Sequence, residues 1–275
     1  MVRRLLVGLA GLVLMGAARA EPDWRALDPA NTLVVDTSKG RIVVEMRPEF
    51  APLAVARVKQ LARDGVYDGL LFHRVIEGFV DQTGNPNNHD GGTSKYPDLP
   101  PEFSFRLPDG AASLVVQRSD AVEGFVGATP IVGVSAAEQA LGTDHRVRAW
   151  GAYCDGVVGM GRQAEIGTAN SEIFFMRAPA RRLDHDYAVW GRVVQGLDVV
   201  RAVAVGEPPK EPDRMVRVRV AADLPPGERP MLEVANERGP AFRARVAALR
   251  ARKGAAFSIC DAAIAVRGTA QPGRE

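Results

Sequence analysis

The sequence is poor in the residues that build metal centres and covalent catalytic sites. It has two cysteines and four histidines in 275 residues, and the histidines are scattered along the chain. No group of these residues has the spacing of a zinc site. No nucleotide-binding loop, catalytic triad or paired-carboxylate arrangement stands out either. The sequence therefore predicts no metal site and no cofactor.

A strong excess of charge is also missing. The formal net charge is +2, and 46% of the residues are hydrophobic and 25% charged, as in ordinary globular proteins. This balance gives no electrostatic argument for nucleic acid or an anionic membrane as a partner. The length allows one large domain or two modest ones.

Apolar runs long enough to span a membrane are absent after residue 20. Residues 1–20 carry two early arginines, the apolar run Leu5–Ala17 and the small-residue segment Ala18–Ala20. This is the pattern of a secretory signal peptide. The alternative is a membrane anchor, which needs roughly 20 apolar residues. We therefore expect cleavage before Glu21 and an exported monomer that leaves the membrane. The periplasm is the expected destination, and secretion stays open as the alternative.

The two cysteines, Cys154 and Cys260, are a candidate disulfide pair. Disulfides persist in exported proteins, and two cysteines allow one connectivity. The sequence does not show whether they come within bonding distance. A bridge and a pair of buried thiols both stay open.

Short strand patterns dominate the chain between residues 31 and 222. Only two segments read as helices: one begins at Pro52 and stops at Gly65, and the other is Gly196–Val203. Many short strands with two helices favour an antiparallel barrel or sandwich. The predicted strands are Asn31–Asp36, Arg41–Met46, Leu70–Ile76, Gly156–Met160, Glu172–Met176, Ala188–Val194 and Met215–Ala221.

Two regions depart from this pattern. Residues 88–153 are rich in loops and read as an insertion, and residues 223–275 read as an extension packed on the main domain. The extension contains a basic helix, Pro240–Lys253, and a strand-like segment, Ala256–Val266. The strand-like pieces of the insertion are Glu102–Arg106, Ala112–Val116 and Pro130–Ser135.

One stretch, Leu71–Pro86 (LFHRVIEGFVDQTGNP), sets a His and an Arg among apolar residues and ends in a Gly-Asn-Pro turn. It resembles the central motif of the cyclophilins, the peptidyl-prolyl cis/trans isomerases, which runs Phe-His-Arg-Val/Ile-Ile, Gly-Phe and Gln-x-Gly-Asp-Pro. The likeness covers about residues 31 to 222, with a gap across the insertion. Three later stretches resemble further family segments in the same order: GVVGMGR, ANSEIFFM and LDHDYAVWGRVVQGLDVVRAV.

The resemblance implies a mainly β fold with an isomerase domain over residues 21–222. Its centre would be a closed, eight-stranded antiparallel barrel with two capping helices. The long insertion and a C-terminal α/β extension would be added to this barrel.

The resemblance also implies that Arg74 is the catalytic donor and that Gln82 orients it. Amide resonance opposes rotation about an X-Pro bond with a barrier of roughly 18–20 kcal/mol. A fixed cation aimed at the prolyl nitrogen stabilises the twisted bond more than the planar one. Arginine suits this role because it stays protonated and presents a rigid fork. From the residues alone, the alternative is a strand arginine paired with a carboxylate, such as that of Glu45 or Glu77.

The proline ring needs an apolar slot beside this cation. By resemblance, the ring residues of the slot are Phe79 and Phe175, and Leu183 is its aliphatic wall. Val80 replaces the usual Met and Tyr187 replaces the usual His. The other substrate-binding positions by resemblance are Gly161 and Arg162.

Five residues in three segments depart from the family pattern. Gly161, Arg162 and Gln163 stand where Ala-Asn-Ala is usual, Ile173 stands where a Gln precedes Phe-Phe, and Arg182 stands in the place of a Trp. We expect a weaker hold on the substrate backbone and weak binding of cyclosporin-type macrocycles.

The predicted activity is rotation of X-Pro bonds in proline-containing segments of exported proteins during folding. The alternative is a catalytically weak barrel that binds proline-bearing chains as a chaperone or scaffold. A lipocalin-like or carbohydrate-binding barrel shares the composition but does not account for the ordered motifs.

Overall fold

The computed structural model describes residues 22–142 and 146–269. The predicted signal peptide, residues 1–20, lies outside the described residues. Among the described residues, no helix is long and apolar enough to cross a membrane.

The helices are α1 (Pro52–Arg63), α2 (Ala136–Ala140), α3 (Leu197–Ala202) and α4 (Pro240–Lys253). The strands are β1 (Trp24–Ala26), β2 (Thr32–Thr37), β3 (Gly40–Met46), β4 (Arg74–Ile76), β5 (Val80–Thr83), β6 (Phe105–Pro108), β7 (Ser113–Gln117), β8 (Ala121–Val126), β9 (Thr129–Val134), β10 (Arg146–Gly151), β11 (Val157–Met160), β12 (Ile173–Met176), β13 (Val189–Gln195), β14 (Met215–Val220), β15 (Met231–Ala235) and β16 (Val266–Thr269).

An eight-stranded antiparallel sheet forms the centre of the molecule. Its strand order is β14-β2-β3-β13-β11-β12-β5-β4. β-branched residues alternate along β2 and β3, so that Leu33 and Val35 face the same core as Ile42 and Val44. The predicted mainly β class is confirmed.

Closure of this sheet into a barrel is not confirmed, because β14 and β4 form no continuous ladder. The residues just before these strands make an isolated bridge between Leu71 and Arg214. Two backbone hydrogen bonds flank it, from the Met215 amide to the Leu70 carbonyl at 2.8 Å and from the Phe72 amide to the Asp213 carbonyl at 2.9 Å. The chain leading to β14 is rich in proline, which lacks the N–H donor that a longer ladder requires.

The two predicted helices pack against this sheet. Helix α1 begins at Pro52, as predicted, because proline at the first helical position costs no intrahelical hydrogen bond. Its buried face includes Val55, Val58 and Leu61, which join the same core as Val200 of α3.

Residues 105–151 form a second sheet of five strands in the order β6-β10-β9-β8-β7. Three of these strands overlap the predicted pieces, whereas β8 and β10 were not predicted. The ring of Phe105 in β6 stacks on Phe50 at 4.0 Å between centroids, which joins this sheet to the central one. Phe125 in β8 packs edge-on against Phe242 of α4.

A three-stranded sheet, β1-β15-β16, combines residues from both ends of the described chain. Helix α4 occupies the predicted range Pro240–Lys253. The predicted strand at Ala256–Val266 is wrong, because Ser258 and Asp261 form a capping box that starts a 3-10 turn at Ile259.

Cys154 and Cys260 form a disulfide, with an S–S distance of 2.01 Å. Of the two alternatives that the sequence left open, the structure therefore has the bridge. Cys154 lies between β10 and β11, so the bond fastens the C-terminal residues to the end of the second sheet.

Candidate active site

One pocket brings together eight of the nine predicted site residues, in a cavity of about 240 Å³. Its walls come from β4, β5 and β12, from the residues that follow β11, and from the connection between β12 and β13. The lining residues are Arg74, Phe79, Val80, Gln82, Gly161, Arg162, Glu172, Phe174, Leu183 and Tyr187. Glu172 and Phe174 were not predicted, and Phe175 is absent from the lining.

Arg74 and Gln82 sit opposite each other on the paired strands β4 and β5. Arg74 Nη1 donates a short hydrogen bond to Gln82 Oε1. Arg74 Nε donates to Glu207 Oε2 at 2.7 Å, where the Arg74 side chain is 30% exposed and Glu207 is 52% exposed. This is a surface ion pair at the pocket mouth, and such pairs contribute about 0–1 kcal/mol.

Arg74 does pair with a carboxylate, that of Glu207, but the two partners named from the sequence, Glu45 and Glu77, are wrong. Glu45 pairs with Arg25 at 2.6 Å, and Glu77 pairs with Arg177 at 2.8 Å. Arg74 is therefore free of both carboxylates and lies in the pocket wall.

Glu172 extends the hydrogen-bonded chain behind Arg74. Gln82 Nε2 donates to Glu172 Oε1 at 2.7 Å, and Asn85 Nδ2 donates to Glu172 Oε2 at 2.5 Å. Because Glu172 accepts from the Gln82 amide nitrogen, the Gln82 carbonyl oxygen is turned toward Arg74. This chain fixes the direction of the Arg74 guanidinium.

Phe175 is not a pocket residue, and Phe174 takes its place. Alternate residues of a strand point to opposite faces. Phe175 is fully buried, with its ring 6.3 Å from Phe72 in the core, whereas Phe174 contacts Tyr187 edge-on at 5.8 Å. By the same alternation, Ile173 faces the core. The place of the family Gln that precedes Phe-Phe, predicted at Ile173, therefore belongs to Glu172, which lines the pocket.

The observed position of the Glu172 carboxylate requires glycine at residue 161. The Gly161 amide donates to the Glu172 carbonyl at 2.9 Å. A Cβ atom at Gly161 would lie 2.2 Å from Glu172 Oε1, so the glycine leaves room for the carboxylate beneath the pocket.

Two arginines stand over the aromatic walls. The guanidinium of Arg162 lies 4.6 Å from the Tyr187 ring centroid and pairs with Asp186 at 2.9 Å. The guanidinium of Arg182 lies 4.3 Å from the Phe79 ring centroid. These distances allow cation–π attraction, which stiffens the two walls of the slot.

Asp81 supports the site from the opposite face of β5. It lies between Val80 and Gln82, is fully buried, and accepts a hydrogen bond from Arg177 Nη1 at 2.9 Å. Burial raises the pKa of Asp81 to about 7, although the nearby Arg177 guanidinium opposes the shift.

The site thus sets a permanently charged donor beside the apolar side chains of Phe79, Phe174 and Leu183. A guanidinium held in this way stabilises electron density that develops on a nearby nitrogen atom. This combination is the one that rotation of an X-Pro bond would require.

Comparisons with known proteins agree with this geometry. Residues 32–220 match the family described as "Cyclophilin type peptidyl-prolyl cis-trans isomerase/CLD". A probable peptidyl-prolyl cis-trans isomerase of Brucella suis biovar 1 (strain 1330) is 32% identical over 214 residues, which cover 72% of this chain and 86% of the relative. The peptidyl-prolyl cis-trans isomerase ppi1 of Schizosaccharomyces pombe is 29% identical over 189 residues, covering 66% of this chain and 94% of the relative.

A solved structure resembles most of the chain. The crystal structure of cyclophilin AquaCyp293 from Hirschia baltica superposes with a TM-score of 0.80 at 32% identity, covering 90% of this chain and 94% of that one. The structural likeness therefore extends beyond the residues that match the family. The chain belongs to the cyclophilin-type peptidyl-prolyl cis-trans isomerases.

Proposed function

We propose that this isomerase accelerates X-Pro rotation in exported proteins while they fold, acting as a monomer on proline-containing segments. The observation that carries the catalytic part is Arg74 held by Gln82 at the mouth of an apolar slot. Uncatalysed X-Pro exchange takes tens to hundreds of seconds, which is slow enough to limit folding.

Arg74 would act on the prolyl nitrogen. When the amide twists out of planarity, resonance is lost and the nitrogen regains its lone pair. A guanidinium N–H that points at this lone pair binds the twisted state more tightly than either planar isomer, which lowers the barrier. Phe79, Phe174 and Leu183 would hold the proline ring while the preceding carbonyl group turns.

Arg162 would contribute little to holding the substrate backbone. Its side chain donates to the Asp186 carboxylate at 2.9 Å and to the carbonyls of Gln163 and Ala164 at 3.0 and 3.1 Å. These contacts occupy much of its donor capacity, so the slot and Arg74 would provide most of the binding.

The catalytic proposal is tested by measuring cis–trans exchange of a short X-Pro peptide by NMR. We expect the wild type to accelerate exchange and Arg74→Ala to lower kcat/KM by about 10²- to 10³-fold, the usual cost of one lost transition-state donor. Arg74→Lys keeps the charge but not the fork, so it should restore only part of the rate. Arg243→Ala, on the exposed face of α4, is the matched control and should behave as wild type.

The binding-only alternative has a different signature. A wild-type protein that binds the peptide in the same titration without accelerating exchange would replace the isomerase by a proline-binding chaperone or scaffold. Circular dichroism of each variant shows whether it still folds, which separates loss of the Arg74 donor from loss of the fold.

Export is supported by the pattern of residues 1–20 and by the Cys154–Cys260 bond, since disulfides persist in oxidising compartments. N-terminal sequencing of the protein from fractionated cells is the test. A chain beginning at Glu21 in the periplasmic fraction is expected, whereas a cytoplasmic chain that retains residues 1–20 would contradict export.

A further inference from the structure

Three metal-binding residue types that are distant in sequence meet beside the pocket. His73 immediately precedes β4, Glu172 immediately precedes β12, and Asp90 lies in the loop after β5. His73 Nε2 lies 3.2 Å from Asp90 Oδ1 and 3.7 Å from Glu172 Oε2. One ligand atom from each residue lies within 4.8 Å of the others. The scattered histidines of the sequence gave no sign of this cluster.

These separations fit one small cation. Nitrogen and oxygen ligands bind zinc at about 2.0–2.2 Å, and in tetrahedral geometry two such ligands lie roughly 3.2–3.6 Å apart. The distances from His73 Nε2 to the two carboxylates lie close to this range. Asp90 has a 66% exposed side chain on a loop, so it can adjust its position, and its exposure gives the ion a path from solvent.

The other two ligands are fixed before any ion arrives. The His73 side chain is 2% exposed, and the His73 amide donates to the Gln82 carbonyl at 3.1 Å. Glu172 is buried and held by Gln82 and Asn85, each of which uses one lone pair of a different carboxylate oxygen. A carboxylate has further lone pairs, so Glu172 Oε2 can still bind a cation.

The tautomer of His73 is not fixed by a hydrogen bond at Nδ1. His73 Nδ1 is buried and has no hydrogen-bond partner within residues 22–142 and 146–269. Nε2 is therefore the engaged nitrogen, and it points at two carboxylates. When a metal binds Nε2, the ring proton moves to Nδ1, so the imidazole stays neutral.

We propose that His73, Asp90 and Glu172 form a binding site for a divalent cation of the zinc class, with water as the fourth ligand. One imidazole with two carboxylates suits zinc and similar first-row ions. Two carboxylates with a neutral imidazole carry a charge of −2, which the ion neutralises.

The site has a direct route to Arg74. Glu172 would be shared between the ion and Gln82, and Gln82 orients Arg74. A cation on Glu172 weakens its acceptance from the Gln82 amide, so the hold on Arg74 loosens. Zinc is therefore expected to lower isomerase turnover. This consequence rests on the proposed function, whereas the prediction of zinc binding does not.

Binding is tested by titrating ZnCl₂ into the tag-free, chelator-treated full chain by calorimetry, with the visible absorption of Co²⁺ as a second readout. We expect one ion per chain and a tetrahedral Co²⁺ spectrum. Asp90→Asn removes one ligand charge from an exposed side chain at constant size, and it should weaken binding by about tenfold or more. Asp120→Asn, an exposed turn residue between β7 and β8, is the matched control and should bind as wild type.

Two results would overturn the site: no zinc binding by the wild type, or equal affinity in wild type and Asp90→Asn, which would place the ion elsewhere. The coupling is judged separately by the peptide assay with added zinc. Turnover that falls in the wild type but not in Asp90→Asn supports it, and unchanged turnover at saturating zinc overturns the coupling while the binding result stands.

Discussion

Phe174 and Phe175 are neighbours in β12, yet their rings lie on opposite sides of the central sheet. Phe174 faces the pocket and meets Tyr187 at 5.8 Å, and Phe175 faces the core and meets Phe72 at 6.3 Å. Two identical side chains thus have different surroundings, and we expect one to serve substrate binding and the other stability.

Substituting leucine at each position separates these purposes. Phe175→Leu should lower the free energy of unfolding by about 1 kcal/mol, because the core must repack around a different shape. Phe174→Leu should instead lower kcat/KM for an X-Pro peptide by about tenfold, since it reshapes the slot. Denaturant unfolding and the peptide assay check the pair, and an activity loss confined to Phe175→Leu would contradict the assignment.

Arg182 is expected to select acidic residues next to the proline. It is exposed, stacks on Phe79, and has no carboxylate within ion-pair distance among the described residues. Peptides with Glu beside the X-Pro bond should therefore turn over a few-fold faster than peptides with Lys, and salt should shrink the difference.

Arg182→Gln should remove this preference while neutral peptides react as before. Arg243→Gln on α4 serves as the control for net charge. A Glu-over-Lys preference that survives in Arg182→Gln would show that another charge makes the selection.

The disulfide should contribute strongly to stability. Cys154 and Cys260 are 106 residues apart in sequence, and bridges that close long loops remove the most entropy from the unfolded chain. The double variant Cys154→Ala with Cys260→Ala should lose about 2–5 kcal/mol of unfolding free energy. The peptide assay at low temperature should change little, because neither cysteine lines the pocket.

Reduction of the wild type provides the check. Dithiothreitol should shift the denaturation midpoint of the wild type toward that of the double variant and leave the variant unaffected. A reduced wild type as stable as the oxidised one would contradict the prediction.

Stability should fall between about pH 4 and pH 7 because of Asp81. Its pKa is raised from an unfolded value of about 3.9 to about 7 in the folded protein. In this window the folded state binds a proton that the unfolded state has lost, so the free energy of unfolding decreases as pH rises, by a few kcal/mol in total. Above pH 7 this contribution levels off.

Asp81→Asn isolates this effect, since an amide does not titrate. The difference in unfolding free energy between wild type and Asp81→Asn should change across pH 4–7, as followed by urea denaturation. A difference that stays constant across the window would mean that Asp81 remains ionised beside Arg177.

Much of the central fold and site was predictable from local patterns. Pro52 and the apolar spacing after it define α1, and the β-branched runs of β2 and β3 define a hairpin. The stretch around Arg74 supplies four of the ten pocket residues because β4 and β5 are adjacent in sequence and pair directly.

The rest depends on strand register and long-range contacts. Phe-Phe in β12 offers two rings, and only the register against β5 shows which ring reaches the pocket. The same register pairs Phe174 with Gln82 and puts Glu172, two residues earlier on the same face, within hydrogen-bond distance of Gln82. The spacing of two residues was the available sequence signal, because alternate strand residues share a face.

Two strands of the second sheet escaped prediction for separate reasons. Gly124 lies inside β8, and glycine usually disfavours a strand. Here glycine is needed because a Cβ atom would lie 2.4 Å from the Ser113 carbonyl oxygen of the neighbouring strand. In β10, the exposed Arg146 and Arg148 make the sequence as polar as a loop, although the strand lies between β6 and β9 and these two residues pair with β6.

The pairing of β1 with β15 has a consequence for synthesis. Trp24 lies opposite Ala235, a residue that the ribosome adds about 200 positions later. At the usual rate of about 5–20 residues per second, the first strand waits roughly 10 to 40 s for its neighbour. Throughout that interval its edge is open to other chains, so a nascent copy of this folding catalyst is itself a candidate client for chaperones.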